Sequence, residues 1–157
     1  SVTHALIRHS SFMHPSTVVV RRELFGAAGL FDEGMKYVED LDMWLRLAAA
    51  GPVGLTGRVL ATVEYRPTSH GRQRVNMDEH IVRLFAALPE RFPDLPPDLR
   101  AHVGRVLEST HLGLGWRYRT AGDVGAARGH YRAALRYGVR ARTLLALLRT
   151  YLPAALR

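Results

Sequence analysis

A cluster of four prolines divides this 157-residue chain. The prolines lie in the stretch LPERFPDLPPDL at residues 88–99, which is unsuited to a continuous helix because proline lacks the backbone N–H and its ring clashes with the preceding turn. The residues before the cluster show mixed patterns, whereas those after it have helical spacing. We therefore expect a mixed α/β portion over residues 1–88, a proline-rich linker over 89–97 and an all-α extension over 98–157, with helix predominating overall.

Composition narrows the class of protein. Apolar residues make up 47% of the chain, which is enough to bury a core, and no apolar run is long enough to span a membrane. There is no cysteine, and this excludes a disulfide framework, a thiolate nucleophile and a cysteine-based zinc site. The first residues, SVTHALIRHSS, show no secretory signal and are typical of mid-chain sequence. We expect a fragment of a globular, cytoplasmic protein.

The net charge of +8 comes almost entirely from arginine, since Lys36 is the one lysine. Arginine suits phosphate groups because its planar fork donates two hydrogen bonds at once, although a GC-rich genome explains an arginine bias equally well. The arginines are scattered, and no helix-turn-helix, zinc-finger or ribonucleoprotein signature is present. We therefore expect no nucleic-acid partner.

The mixed portion carries two strand patterns and three helix patterns. Three consecutive valines predict a buried strand over 16–22, and alternation predicts one or two strands over 53–66. A short helix ending at Gly29 precedes a helix over 38–50 that Gly51 and Pro52 stop, and Phe31 is expected to return to the core. A further helix is expected over 77–88.

The extension predicts three helices, at 98–120, 124–137 and 142–152. Residues 112–138 resemble one tetratricopeptide-type helix pair, in which small residues such as Gly113, Ala127 and Ala134 allow close approach. Arginines flank a leucine-rich face in the last segment, which fits either packing on neighbouring helices or association with a membrane surface. The helices favour an alternative function, a protein–protein interaction module without catalytic activity that docks a partner or self-associates.

Three acidic residues stand together at the start of the helix over 38–50. Glu39, Asp40 and Asp42 suit the positive end of the helix dipole, by roughly 0.3–1 kcal/mol each, and Asp42 precedes Arg46 by one turn. That chemistry does not require three acids, nor Trp44 on the same face as Asp40. An indole beside a carboxylate is a suitable floor for a sugar, whose C–H face stacks on the ring while the acid accepts hydroxyl hydrogens.

Several motifs surround these acids in a fixed order. They are HPS at 14–16, the pair Arg21 and Arg22, G-x-F-D-E at 29–33, E-D-x-D-x-W-x-R-L at 39–47, and the pair Tyr65 and Arg66. Over residues 12–70 the chain resembles the C-terminal, acceptor-side half of the catalytic domain of glycosyltransferase family 2, the inverting GT-A transferases. The resemblance implies a partial GT-A-like α/β fold.

The same resemblance implies the activity. A family 2 enzyme transfers a sugar from a nucleotide-sugar donor to a hydroxyl of a glycan or lipid-linked acceptor, with inversion. Cell-surface polysaccharide synthesis is the expected process, in the cytoplasm or at the inner face of the membrane. Donor sugar and acceptor are not specified by these residues.

The resemblance also implies residue roles. Asp40 is the expected general base, while Glu39 and Asp42 hold acceptor hydroxyls or orient Asp40, with Asp42 the alternative base. Trp44 is either the floor of the acceptor pocket or part of the core, and Arg66 is expected to meet the departing diphosphate. A histidine often follows the Y-R pair in the family, but Pro67 stands here, so His70 is read as an ordinary loop residue.

Metal dependence is implied only for a longer enzyme. In GT-A transferases a D-x-D in the nucleotide-binding half holds Mn²⁺ or Mg²⁺ against the diphosphate, and this sequence has no such half. We therefore assign no metal ligand and no cofactor to the chain and expect it to be inactive on its own.

Overall fold

The structure is a computed structural model that describes residues 1–9, 13–62, 64 and 74–152, with the backbone alone for residues 74–76. Its helices fall into two compact units, Ser1–Gln73 and Arg74–Arg157. Each unit has its own buried apolar residues. They are described separately below.

The first unit is built around one helix. Its elements are α1 (Val2–Arg8), a 3₁₀ turn (Pro15–Thr17), α2 (Leu24–Ala28) and α3 (Glu39–Ala50). Helix α3 packs against both α1 and α2. Leu6 and Ile7 of α1 and Met43 and Leu45 of α3 are at most 1% exposed, so these two helices supply the centre of the core.

The predicted ends of α2 and α3 are confirmed. Gly29 follows α2 in the left-handed region, at φ 74°, where glycine has no side chain to clash, and its N–H donates to the Phe25 carbonyl. Helix α3 ends at Ala50, and the Gly51 N–H closes its last turn on the Leu47 carbonyl. Local sequence signals therefore predicted both helix ends.

The expected α/β fold is wrong for the residues that the structure describes. Over 16–22 the chain forms part of the 3₁₀ turn and then irregular backbone, and residues 53–62 and 64 contain no strand. Val19 and Val59 are 98% and 95% exposed. A strand satisfies its N–H and C=O groups only against a neighbouring strand, and neither segment has one, so alternation and β-branching alone do not make a sheet.

The second unit consists of four helices, and its predicted helices are confirmed to within a few residues. They are α4 (Arg74–Arg91), α5 (Pro97–Thr120), α6 (Val124–Tyr137) and α7 (Ala141–Arg149). Helix α5 packs against α4 and, most extensively, against α6, and α7 packs on α6.

The proline cluster spans the end of α4, the short connection and the start of α5. Pro89 is inside the last turns of α4, which continues to Arg91, and the Phe92 N–H still bonds to the Leu88 carbonyl. Pro97 occupies the first position of α5, where its missing N–H has no helical partner to lose. Only the few residues between these two helices are irregular.

Buried polar contacts hold α7 in place. Arg128 of α6 donates to Thr150 Oγ1 at 3.1 Å and to the Thr150 carbonyl at 2.8 Å, and its guanidinium lies 4.0 Å from the centre of the Tyr151 ring. Glu108 of α5 is 2% exposed and pairs with Arg140, just before α7, at 3.1 Å. These contacts fix both ends of α7.

The leucine-rich face of α7 is exposed. Leu144, Leu145 and Leu148 are 40%, 54% and 62% exposed, while Thr143 is fully buried. Helix α7 therefore packs on α6 through other residues. Across the described ranges, no helix combines the length and apolar character that a bilayer crossing requires.

Candidate functional site

The predicted acidic residues begin helix α3. Glu39, Asp40 and Asp42 all lie in its first turn, where the backbone N–H groups point outward and the helix dipole is positive. The helix is sufficient to bring the three carboxylates together, because they are neighbours along the chain. The three carboxylates differ in hydrogen-bond partners and in burial, which the sequence did not indicate.

Val38, the residue before these acids, has a strained backbone. Its φ is 53° and its ψ is 21°, and it is the only non-glycine residue with positive φ in the described part of the chain. A β-branched side chain in this left-handed conformation costs of order 1–3 kcal/mol. The Val38 carbonyl nevertheless accepts the Asp42 N–H at 3.1 Å and so starts the helix. Such strain is concentrated at functional sites, where the surrounding structure holds an unfavourable conformation.

Asp42 is a buried, paired carboxylate. It is 3% exposed, and its Oδ2 accepts the Arg46 Nε–H at 2.9 Å and lies 2.9 Å from Arg46 Nη2. Arg46 also donates from Nη1 to the Ala28 carbonyl at the end of α2. The pair thus joins α3 to α2, and this contact accounts for Asp42 without a ligand.

Asp40 and Glu39 are less enclosed. Both are partly buried, and Asp40 accepts the Leu41 N–H through Oδ1 at 2.7 Å. This local bond holds the Asp40 carboxylate at the start of the helix. Of the two aspartates weighed as the base, Asp40 is therefore the one that the structure leaves within reach of solvent.

Trp44 is part of the core rather than an open floor. It is 7% exposed, and its ring lies edge-on to that of Phe31, with centres 6.5 Å apart. Phe31 itself is 47% exposed, so it does not return to the core as expected. The exposed aromatic ring in this cluster is therefore Phe31. The Trp44 Nε1–H is buried and has no acceptor among the described residues.

Other predicted site residues lie outside the described residues. Arg66, Tyr65 and His70 are among them, so the expected contact of Arg66 with a diphosphate has no geometry here. The described residues also do not fit a divalent cation. The D-x-D of α3 includes Asp42, whose carboxylate is held by Arg46, and no three histidine or acidic side chains in the described ranges are placed to share an ion.

A second polar cluster, which the sequence did not indicate, lies between α5 and α6. His111 Nδ1 and His130 Nδ1 are 3.0 Å apart, so one nitrogen carries the hydrogen and the other accepts it. His111 also stacks on Tyr137, and His130 stacks on Tyr118. Burial, followed by the charges of His130 and Arg136, lowers the pKa of His111 to about 4.

Two features of the surroundings of His130 shift its pKa in opposite directions. Burial lowers its pKa, and the nearby carboxylate of Glu79 on α4 partly offsets that effect. Glu79 also accepts the Tyr118 hydroxyl hydrogen, and this bond raises the pKa of Tyr118. Periodicity could place these rings on helix faces, but only the packing of α4, α5 and α6 brings them together.

Comparisons with known proteins assign no family to the chain. Models of protein families, curated proteins and solved structures were each compared with it, and none matched. The residues at the start of α3 and the motifs around them are therefore the basis for a functional proposal.

Proposed function

We propose that the chain is the acceptor-side part of an inverting glycosyltransferase and that Asp40 is its general base. The observation that supports this most directly is the difference between the two aspartates of α3. Asp42 is buried against Arg46, whereas Asp40 is partly exposed at the helix start, next to the strained Val38. The pair with Arg46 accounts for the first carboxylate, whereas the second makes only a local bond with the Leu41 N–H among the described residues and stays open to an acceptor.

In the proposed reaction, an acceptor hydroxyl attacks the anomeric carbon of the nucleotide sugar. The new C–O bond forms as the bond to the nucleoside diphosphate breaks, and the hydroxyl proton passes to Asp40. A carboxylate is a weak base at neutral pH, but the hydroxyl becomes acidic as its bond to carbon forms, so a late proton transfer is feasible. The configuration at the anomeric carbon inverts because there is one displacement.

The neighbouring residues have supporting roles in this proposal. Glu39 accepts hydrogen bonds from other acceptor hydroxyls, and Asp42 positions α3 through Arg46. Phe31, with its exposed ring, is the aromatic surface on which a sugar stacks, while Trp44 supports that ring from the core. Phe31 replaces Trp44 in the stacking role because only its ring is open.

The remaining parts of the proposal concern the whole enzyme. The nucleotide-sugar donor, together with any Mn²⁺ or Mg²⁺ ion, would contact a nucleotide-binding half that this sequence does not contain. The acceptor would be a glycan or a lipid-linked glycan, and the enzyme would work in the cytoplasm, peripherally at the inner face of the membrane. Arg66 is assigned to the departing diphosphate by resemblance alone.

The first test is the size of the native protein, measured by immunoblot of the source cells. A band well above the 17.5 kDa of this chain supports a donor-binding half, and a band at 17.5 kDa contradicts the proposal. The second test is Asp40→Asn in the native-length protein, which should nearly abolish sugar transfer with unchanged circular dichroism.

Glu23→Gln is the matched control for that variant, because Glu23 is an exposed acid of the same unit and makes no capping bond. It should transfer sugar at the normal rate. Near-normal transfer by Asp40→Asn would remove Asp40 from the role of base. Equal loss in both variants would show that transfer depends on charge in general and not on Asp40.

A second candidate function is protein–protein interaction through the helical unit. The observation in its favour is the exposed leucine-rich face of α7, formed by Leu144, Leu145 and Leu148. Light scattering of the purified chain tests self-association through this face. A dimer that Leu148→Ser converts to a monomer supports the interaction function, and a monomer at all concentrations contradicts self-association.

A further inference from the structure

We propose that a groove between α5 and α7 binds a small ligand that carries a diphosphate group on a flat ring. The groove has a volume of about 460 Å³ and is lined by three arginines, Arg119, Arg142 and Arg149, together with Trp116. Its volume lies in the range of small-molecule sites, and it is too small for a folded partner. The site belongs wholly to the second unit and is independent of the proposed transferase site.

The groove exists because position 113 of α5 is a glycine, which has no side chain to fill the space. Gly113 lies on the α5 face that also carries Trp116, and a Cβ atom built on Gly113 would meet nothing within 4 Å. Ala146 provides a similarly small residue on α7. Tyr131 of α6 also lines the groove and is 1% exposed. The Tyr131 ring is therefore a packed wall of an otherwise open groove.

The charge of the groove selects an anion. No carboxylate is among the residues that line it, and Arg149 makes no side-chain hydrogen bond or ion pair within the described residues. Arg142 reaches the buried Glu108 only at 3.5 Å, and Glu108 has a closer partner in Arg140 at 3.1 Å. At least two guanidinium groups can therefore turn most of their donors toward a ligand.

Three guanidinium groups favour phosphate over a single carboxylate. Each planar fork donates two parallel hydrogen bonds to phosphate oxygens, and a diphosphate carries enough charge and enough oxygens for several forks. An uncharged ligand would leave most of these arginine donors without an acceptor. We therefore assign a diphosphate rather than a sugar or a monocarboxylate.

Trp116 supplies the second recognition element. Its indole is 56% exposed although it lines the groove, so a flat face is open to a ligand. Aromatic rings stack on such faces. The indole also attracts the cationic guanidinium groups of the arginines and can hold those side chains in place. A diphosphate attached to a ring can contact both elements at once.

Isothermal titration calorimetry of the chain tests the proposal with three probes. ADP should bind, inorganic pyrophosphate should bind more weakly because it lacks the ring, and adenosine should not bind. Increasing salt should weaken ADP binding because the contacts are charged. Equal binding of adenosine and ADP, or no heat with either phosphate probe, would overturn the proposal.

Variants locate the site. Arg149→Gln should lower ADP affinity by about tenfold, since it removes an arginine whose side chain has no hydrogen-bond or ion-pair partner among the described residues. Gly113→Met should do the same by filling the groove, and it should also stabilise α5, because glycine is a poor helix former. Arg105→Gln is the matched control, an exposed arginine on α5 outside the groove.

Thermal melts identify any variant that has lost its fold, and the stabilising Gly113→Met keeps the test valid if Arg149→Gln unfolds. The proposal holds if ADP affinity falls in both groove variants and is unchanged in Arg105→Gln. Unchanged affinity in Gly113→Met, or equal loss in Arg105→Gln, would place binding elsewhere. Sugar transfer is not part of this test, so failure of the proposed transferase function would leave its result unaffected.

Discussion

Gly115 of α5 lies directly against the ring of Tyr131 of α6. A Cβ atom built on Gly115 would stand 2.5 Å from Tyr131 Cε1 and 2.6 Å from Cδ1, distances that side-chain carbons do not tolerate. Tyr131 is 1% exposed, so its ring has little room to move away. The close packing of α5 and α6 therefore depends on this glycine, whereas the sequence had pointed to Gly113.

Alanine substitutions at these two glycines should have opposite effects. Gly115→Ala should lower the free energy of unfolding by about 1–3 kcal/mol because it overpacks the α5–α6 contact. Gly113→Ala should raise it by up to about 1 kcal/mol, because alanine favours helix and the space is open. Urea unfolding of both variants measures the difference, and a stabilised Gly115→Ala would show that Tyr131 can move.

The two aspartates of α3 should differ in their contribution to stability. Asp42→Asn removes the charge of a buried carboxylate and leaves the partly buried Arg46 without its charged partner, so the free energy of unfolding should fall by about 1–3 kcal/mol. Asp40→Asn retains an oxygen for the Leu41 N–H and loses only a dipole interaction, at a cost below about 1 kcal/mol. Urea unfolding at neutral pH compares them. Equal losses would contradict the structural assignment of Asp42.

The histidine pair should make stability depend on pH. The folded protein holds the pKa of His111 at about 4, below the ordinary value of 6.5, so the unfolded chain binds its proton first as the pH falls. The contribution of neutral His111 to the free energy of unfolding is fully present above about pH 6.5 and is lost as the pH falls toward 4. His111 alone should contribute about 2–3 kcal/mol to this loss.

Unfolding measured at several pH values tests that prediction. His111→Gln retains groups that can bond to His130 but does not titrate, so its stability should fall less steeply than that of the unmodified protein between pH 7 and pH 4. The groups that face the pair, Glu79 of α4 and Arg136 of α6, are unchanged in this comparison. Parallel curves for the two proteins would show that His111 is not the group responsible.

Helices α2 to α7 were predictable because their signals are local, whereas α1 was not predicted. The acids at the start of α3, Gly51 at its end and Pro97 at the start of α5 act on backbone groups within one turn. Their effects can be read from neighbouring residues along the chain. The candidate site was found in the same way, because Glu39, Asp40 and Asp42 belong to one turn.

The strands and several side-chain roles could not be predicted in this way. The valines over 18–20 have the composition of a strand, but a strand also requires a partner that the described chain does not supply. The burial of Asp42, the exposure of Phe31 and the strain at Val38 depend on how α2 and α3 pack. None of these follows from spacing along the sequence.

The sequence by itself therefore determined where helices α2 to α7 lie and which acidic residues share a turn, since hydrogen bonds within a helix join residues only a few positions apart. Tertiary structure alone decided that Asp42 is buried and that Arg46 also bonds to α2, that His111 meets His130, and that Arg149 and Trp116 line one groove. The physical reason is that burial and charge pairing depend on contacts between separate helices, and those contacts form only when the helices pack.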